Sequence, residues 1–349
     1  MKYIVLLSVI VFSVSTFSQN CSPEALAKLP GTWKKGPQGS ISNINASDLV
    51  KEKAVLNNLH QLVSDNYQPK GCQIAYSTVF GKYPGEGKNW MADPYQYHLY
   101  ILRYLCDKNS SDKTKYYIDV STPTTCHITA NALYNLRLYA AEIPDSDLRG
   151  YLKLEKRLEK KDGVYYMEEV EGQQYSKNKI MQYSWLITYN DTLPYMDVSR
   201  KEYLLLTKKK LEKAIVANGG DASEYKVYND RINEFLKQTE DYLSETAVCM
   251  WNDEERFNGF VEENTPGSFI AVKPNLSYYQ KNKKLSTPQF FQIQIKIEQG
   301  NSVFDENIAG IKKALDFEKL RSMLGKEPNI ASQVNKTSPN TTKPIPKKI

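Results

Sequence analysis

Residues 291–298 read Phe-Gln-Ile-Gln-Ile-Lys-Ile-Glu, and the alternation in this stretch decides the fold. Phe291, Ile293, Ile295 and Ile297 project to one side of an extended chain, and Gln292, Gln294, Lys296 and Glu298 to the other. A period of two is a strand period, so this segment is expected to lay one face on a core and keep the other in water. Upstream, the same period recurs in Ile74, Tyr76 and Phe80; in Tyr95, Tyr97, Leu99 and Ile101; in Tyr116, Ile118 and Val120; and in Cys126, Ile128 and Ala130. The connections between these four strands are short, which favours antiparallel pairing over helix-crossed parallel pairing. Asp162-Gly163 is the strongest hairpin signal, with Leu152, Leu154 and Leu158 before it and Val164, Tyr166 and Val170 after it. Met181, Tyr183, Trp185, Ile187 and Tyr189 supply a further strand face.

Helical periods flank the strands. Leu49, Leu56, Leu59 and Val63 predict a helix from about Ser47 to Asp65 with one buried face. Ser199 and Glu202 form a capping-box pattern at the start of a second helix, which runs to about Ala217 and stops at Gly219 and Gly220. Tyr225, Tyr228, Ile232, Phe235 and Tyr242 stripe a third, so the middle of the chain reads as an αα-hairpin. Further helix fills Glu306 to Leu324, with Gly325 as its stop. The expected class is α+β: an N-terminal helix on a mostly antiparallel meandering sheet, then an αα-hairpin, a strand and a helix.

The N-terminus shows Lys2, an apolar run from Tyr3 to Val14, and then Ser15, Thr16 and Ser18. That run is too short for a membrane span and fits a signal peptide over residues 1–18, cleaved after Ser18. Ser18, Gln19 and Asn20 lack the pattern of a bacterial lipidation site, so Cys21 is not read as a lipid anchor. The expected organisation is a signal peptide at 1–18, an α+β region at 19–180, a second at 181–325, and a basic tail at 326–349. Pro328, Pro339, Pro344 and Pro346 stand in that tail among Thr, Asn and Lys, and it holds too little apolar surface to fold. The expected location is secreted or periplasmic.

A net charge of +6 spread over 349 residues is a weak basic bias that does not argue for nucleic acid, and no later segment reads as an integral membrane helix. All five cysteines, Cys21, Cys72, Cys106, Cys126 and Cys249, lie beyond the leader, where an oxidising compartment favours disulfides. Cys72 opens one expected strand and Cys106 closes its neighbour, so this pair is the expected bridge. No two cysteines have the close spacing of a zinc knuckle.

Two elements carry a resemblance. Leu193-Pro194-Tyr195 followed by Val198-Ser199-Arg200-Lys201-Glu202-Tyr203-Leu204 is the first, and Tyr278-Tyr279, Leu285 and Pro288-Gln289-Phe290 make the second. Together they resemble a family of uncharacterised exported bacterial proteins. The resemblance covers about a third of the chain and implies export and fold, with no activity attached.

No motif fixes a reaction, and the catalytic residues stay unknown at this level. His60, His98 and His127 are the whole supply of imidazole, in three different elements and without an HExxH spacing. His98 and His127 are the pair that neighbouring strands could bring together as metal ligands, yet structural histidines are the simpler reading. Cys126 and His127 are adjacent in a strand and point to opposite faces, so they form no catalytic pair. Glu168, Glu169, Asp191 and Asp197 are carboxylates of the type a glycosidase uses, although solvated strand edges carry such acids routinely. The composition is unusual in its 25 tyrosines against 11 phenylalanines and four tryptophans. Trp90, Tyr95, Tyr97, Tyr100 and Tyr104 form the densest aromatic cluster and the candidate ligand-binding surface. The expected function is a non-catalytic envelope or extracellular binding or structural module, without a cofactor, for an envelope polymer, a polysaccharide or a partner protein. The alternative is a hydrolase, metal-assisted or not, built on His98 or His127 with nearby carboxylates.

Overall fold

The computed structural model describes residues 21–81, 92–132, 138–140, 152–171, 178–189, 191–217, 219, 223, 225–251, 257–280 and 282–328. The expected signal peptide, Trp90 and the tail beyond residue 328 lie outside the described residues. The strands are β1 (Thr32–Lys35), β2 (Ile41–Ser42), β3 (Cys72–Gly81), β4 (Tyr95–Cys106), β5 (Tyr116–Ile118), β6 (Thr125–Ala130), β7 (Leu138–Ala140) and β8 (Leu152–Leu154). They continue with β9 (Glu159–Lys161), β10 (Val164–Glu171), β11 (Ile180–Ile187), β12 (Tyr195–Asp197), β13 (Val248–Met250), β14 (Ser268–Pro274) and β15 (Phe291–Glu298). The helices are α1 (Pro23–Ala27), α2 (Ala46–Ser64), α3 (Arg200–Ala217), α4 (Lys226–Phe235), α5 (Glu240–Ser244), α6 (Ser302–Ala314) and α7 (Phe317–Met323).

The strands form two sheets, and the class is α+β as the sequence patterns require. The large sheet runs β1-β3-β4-β6-β15-β11-β10-β9, with β2 added on β3 and β5 on β4. Its pairs are antiparallel except where β1 and β2 join β3 in parallel. The chain does not simply meander, because β15 inserts between β6 and β11. The small sheet runs β12-β14-β8-β7, with β13 also on β14. Position 181, where two regions were expected to divide, falls inside β11, and β8 from the first region pairs with β14 from the second.

Each sheet has helices on one face. Against the large sheet, Val55, Leu56, Leu59 and Val63 of α2 and Phe304, Ile308 and Ile311 of α6 meet Ile74, Tyr97, Leu99, Ile128, Ile293 and Ile295. Against the small sheet, Tyr203, Leu204 and Leu211 of α3, Ile232 of α4 and Leu243 of α5 meet Phe269 and Ala271. Between the sheets a third cluster joins Leu186 and Phe290 to Leu154, Tyr195, Val248, Ile270 and Val272. The order of layers is therefore helices, large sheet, small sheet, helices, with β14 buried on both sides.

Local rules hold where they were clearest. Asp162 (φ 51°) and Gly163 (φ 75°) are both left-handed, as a two-residue hairpin between β9 and β10 requires. Ser199 Oγ accepts from the Glu202 amide at 3.2 Å, while the Glu202 carboxylate meets Lys273 Nζ at 2.6 Å. The helix expected from Tyr225 to Tyr242 is two helices instead. Thr239 caps α5 by accepting from the Tyr242 amide, so a new start interrupts the stripe.

The two resembling elements meet in a buried joint. Asn275 donates from Nδ2 to the Leu193 carbonyl, and the Pro194 carbonyl accepts from its amide. Tyr278 Oη donates to the Gln289 carbonyl at 2.7 Å, and Tyr189 Oη bonds the Gln289 side chain. Asn131 completes the joint: its Oδ1 accepts from the Gln289 amide at 2.7 Å, and its Nδ2 donates to the carbonyls of Asp93 and Thr287. These residues hold the entry to β15, which is a structural task.

The expected Cys72–Cys106 bridge is corrected to Cys21–Cys106, with Cα atoms 5.6 Å apart. The reason is register. Cys72 sits opposite Arg103, so Cys106 lies three residues farther along and on the other face of the sheet. Cys72, Cys126 and Cys249 are buried thiols. Burial pushes Cys72 and Cys126 up to about 12, which makes them inert at neutral pH.

At the α6 contact, a Cβ on Gly310 would come within 2.0 Å of Tyr67 Cε2, and the Tyr67 hydroxyl is fixed on Asn307 Oδ1 at 2.9 Å. Replacing a mid-helix glycine by alanine ordinarily stabilises by up to about 1 kcal/mol. Here the clash reverses the sign, and Gly310→Ala is expected to cost about 1–3 kcal/mol, read as a lower urea midpoint. An unchanged or raised midpoint would show that Tyr67 yields freely.

Candidate functional site

The side of β15 expected in water is buried. Gln292 is 0% and Gln294 5% exposed, and Leu186, opposite Gln292 on β11, packs against the small sheet. Alternation fixes which residues share this inner face, and register fixes their neighbours. One row runs Gln96, Thr129, Gln292 and Leu186 across β4, β6, β15 and β11. The next runs His98, His127, Gln294 and Ser184, and the third Tyr100, Thr125, Lys296 and Gln182. Thr129 and Ser184 are also 0% exposed, whereas Gln96, His98, Tyr100, Thr125, His127 and Lys296 are half-buried. The face thus grades from a reachable rim to an enclosed floor.

Within it, His98 and His127 stack with ring centroids 4.2 Å apart and planes at 30°. The structure does bring together the two histidines that the sequence offered as a pair. Stacking turns their faces toward each other and not their nitrogen lone pairs, which is poor geometry for a shared metal ion. Among the described residues no group of three His, Cys, Asp or Glu side chains is placed to hold one. His98 Nε2 bonds Gln96 Oε1 at 2.7 Å, which puts the proton on Nε2 and leaves Nδ1 facing the Tyr100 hydroxyl 3.5 Å away. Burial pulls His98 down to about 4. His127 is pulled down to about 3, by burial first and then by His98 and Lys296. Both imidazoles are therefore neutral at physiological pH.

Among the described residues, four atoms on this face are buried with no hydrogen-bonding partner: His127 Nε2, Thr129 Oγ1, and Gln292 Nε2 and Oε1. Each such orphan costs about 1–3 kcal/mol, and three adjacent residues carry them. Thr129 and Gln292 sit directly opposite each other, and His127 lies two residues along β6 on the same face. The result is an enclosed, uncharged cluster of a hydroxyl, an amide and a neutral imidazole. Sequence reasoning missed Thr129 and Gln292, since a threonine or glutamine in an alternating strand looks the same on a wet face as on a buried one.

The other candidates separate. Tyr95 and Tyr97 point to the helix side and are 0% exposed, with Tyr95 Oη donating to the Ser286 carbonyl and Tyr97 Oη bonded to His60 Nδ1 at 2.7 Å. Tyr100 and Tyr104 lie on the inner face, where Tyr104 packs on the Tyr116 ring at 5.0 Å. The strand period that suggested one aromatic surface divides it between two. Among the carboxylates, Glu169 accepts from Gln182 at 2.6 Å, Glu168 from the Tyr166 hydroxyl, Asp191 pairs with Lys160, and Asp197 with Arg157. They lie on different faces and edges and do not converge on the imidazoles.

Comparison with protein-family profiles, with curated proteins and with solved structures finds no match to this chain.

Proposed function

We propose that this chain is an exported, non-catalytic binding module for a polar polymer or partner of the envelope or the extracellular space. The observation that carries the reading is the half-buried ring cluster of Tyr100, His98 and His127 on the inner face, which presents flat faces with polar tips. Export is supported by the Cys21–Cys106 disulfide, which suits an oxidising compartment, and by the apolar N-terminal run followed by small residues. The same bridge occupies the Cys21 sulfur that a lipid anchor would need. No helix among the described residues is long and apolar enough to cross a membrane.

The test is cosedimentation of the purified mature chain with peptidoglycan, insoluble polysaccharides and envelope fractions. Saturable retention on at least one is expected, and loss of retention on all of them removes the reading. A hydrolase is the second reading, favoured by one observation: His98 and His127 are two neutral imidazoles stacked side by side on a half-buried strand face. Stoichiometric zinc that disappears in His98→Ala, or hydrolysis lost in His127→Ala, would put it first.

A further inference from the structure

We propose that Asn258-Gly259 is a self-modifying step in this chain, at which the Gly259 backbone nitrogen attacks the Asn258 side-chain amide and Arg231 promotes the reaction. The sequence supplies the reacting pair. Glycine after asparagine leaves the attacking nitrogen unhindered, since no Cβ stands beside it. The structure supplies access. Asn258 is exposed, Gly259 takes φ 133°, and among the described residues no backbone hydrogen bond engages the Gly259 amide.

Arg231 of α4 supplies activation. Its Nη1 donates to Asn258 Oδ1 and, at 3.4 Å, to the Phe257 carbonyl. A guanidinium on Oδ1 draws electrons from Cγ and meets the negative charge that develops on that oxygen as nitrogen attacks. Ring packing holds the frame independently of this contact. Phe257 is 1% exposed, and its ring lies 5.0 Å from Phe260 and 5.4 Å from Phe235, so the reacting pair stands between two anchored rings. The bonds balance with water as the only co-reactant. The Gly259 nitrogen loses its proton and bonds Cγ, Nδ2 leaves as ammonia, and water opens the cyclic imide. Opening at Cγ gives aspartate, and opening at the main-chain carbonyl of residue 258 gives isoaspartate. The aspartate product sets a carboxylate beside Arg231, turning a hydrogen bond into an ion pair.

The test is peptide mapping by mass spectrometry of the full mature chain held at mildly alkaline pH, beside the free peptide of residues 255–262. Residue 258 is expected to convert to aspartate and isoaspartate at least as fast in the folded chain as in the free peptide. Arg231→Gln is expected to slow the conversion roughly tenfold, the worth of one charge-assisted hydrogen bond in the transition state. Arg231→Lys keeps the charge without the planar fork and should fall between the two; it carries the test if the glutamine variant does not fold. Three results overturn the proposal. Conversion slower in the folded chain than in the peptide would mean that the fold protects Asn258. A rate in Arg231→Gln equal to or above the parent's would make Arg231 a restraint, and aspartate without isoaspartate would mean direct hydrolysis of the amide.

Discussion

Replacing Cys21 and Cys106 together by serine is expected to lower stability by about 4–5 kcal/mol, the loop-closure entropy of a cross-link spanning 85 residues. For a chain of this size that is a fall in Tm of roughly 5–10 °C. The effect is large because the bridge ties the segment carrying α1 and β1 to the end of β4, and β1 in turn covers one side of β3. Both half-cystines are half-buried, so serine adds little penalty of its own. Differential scanning calorimetry of the double variant against Cys72→Ser, which leaves the bridge intact, measures it. Thiol titration gives an independent check. The three buried thiols should be silent in the native protein and appear on denaturation, and two more should appear only after reduction. A Tm within about 2 °C of the parent would show that the bridge closes a loop already ordered in the unfolded chain.

Acid is expected to destabilise this protein well before its carboxylates titrate. In the unfolded chain an imidazole titrates near 6.5. In the folded chain His98 is held at about 4 and His127 at about 3. Between those limits the unfolded state binds more protons, so folding stability is fully present above pH 6.5 and falls as pH drops toward 4. The paired loss between pH 7.5 and 4.5 comes to about 2–5 kcal/mol, the lower figure reflecting partial solvent access at the rim. Urea midpoints at pH 7.5, 6.0 and 4.5 read it out. His127→Gln should flatten the slope by about one proton while keeping a hydrogen-bonding side chain in place. A parent whose midpoint is flat over this range would mean that both rings are already solvated.

Both results depend on features the sequence exposed unequally. The alternation in Phe291–Ile297 and in Met181–Ile187 carried through to two central strands, since a strand with one apolar face advertises itself. The small sheet did not. Its central strand, β14, reads Phe269-Ile270-Ala271-Val272, apolar throughout because it is buried on both sides, and β12 and β13 are three residues each. Without that sheet, nothing tells Gln292 and Gln294 that their side will be covered. The disulfide failed for a related reason: choosing a partner for Cys106 needs the pairing register, and one odd-numbered offset moves a cysteine to the wrong face. The histidine pair was legible as a juxtaposition, because two strands in an antiparallel run were expected to lie side by side. Its burial and neutrality were not, since they follow from what packs above it.

The position of β15 has a further consequence, in time. It is the last of the described strands to leave the ribosome, yet it occupies the middle of the large sheet. Until residue 298 arrives, β6 and β11 are two open edges facing a gap one strand wide, each able to recruit the wrong neighbour. A chain stopped short of Phe291 keeps both edges open for good. The late strand also delivers Gln292 to the side of Thr129, made more than a hundred residues earlier, so the inner face is whole only in molecules whose synthesis and folding have both run to completion.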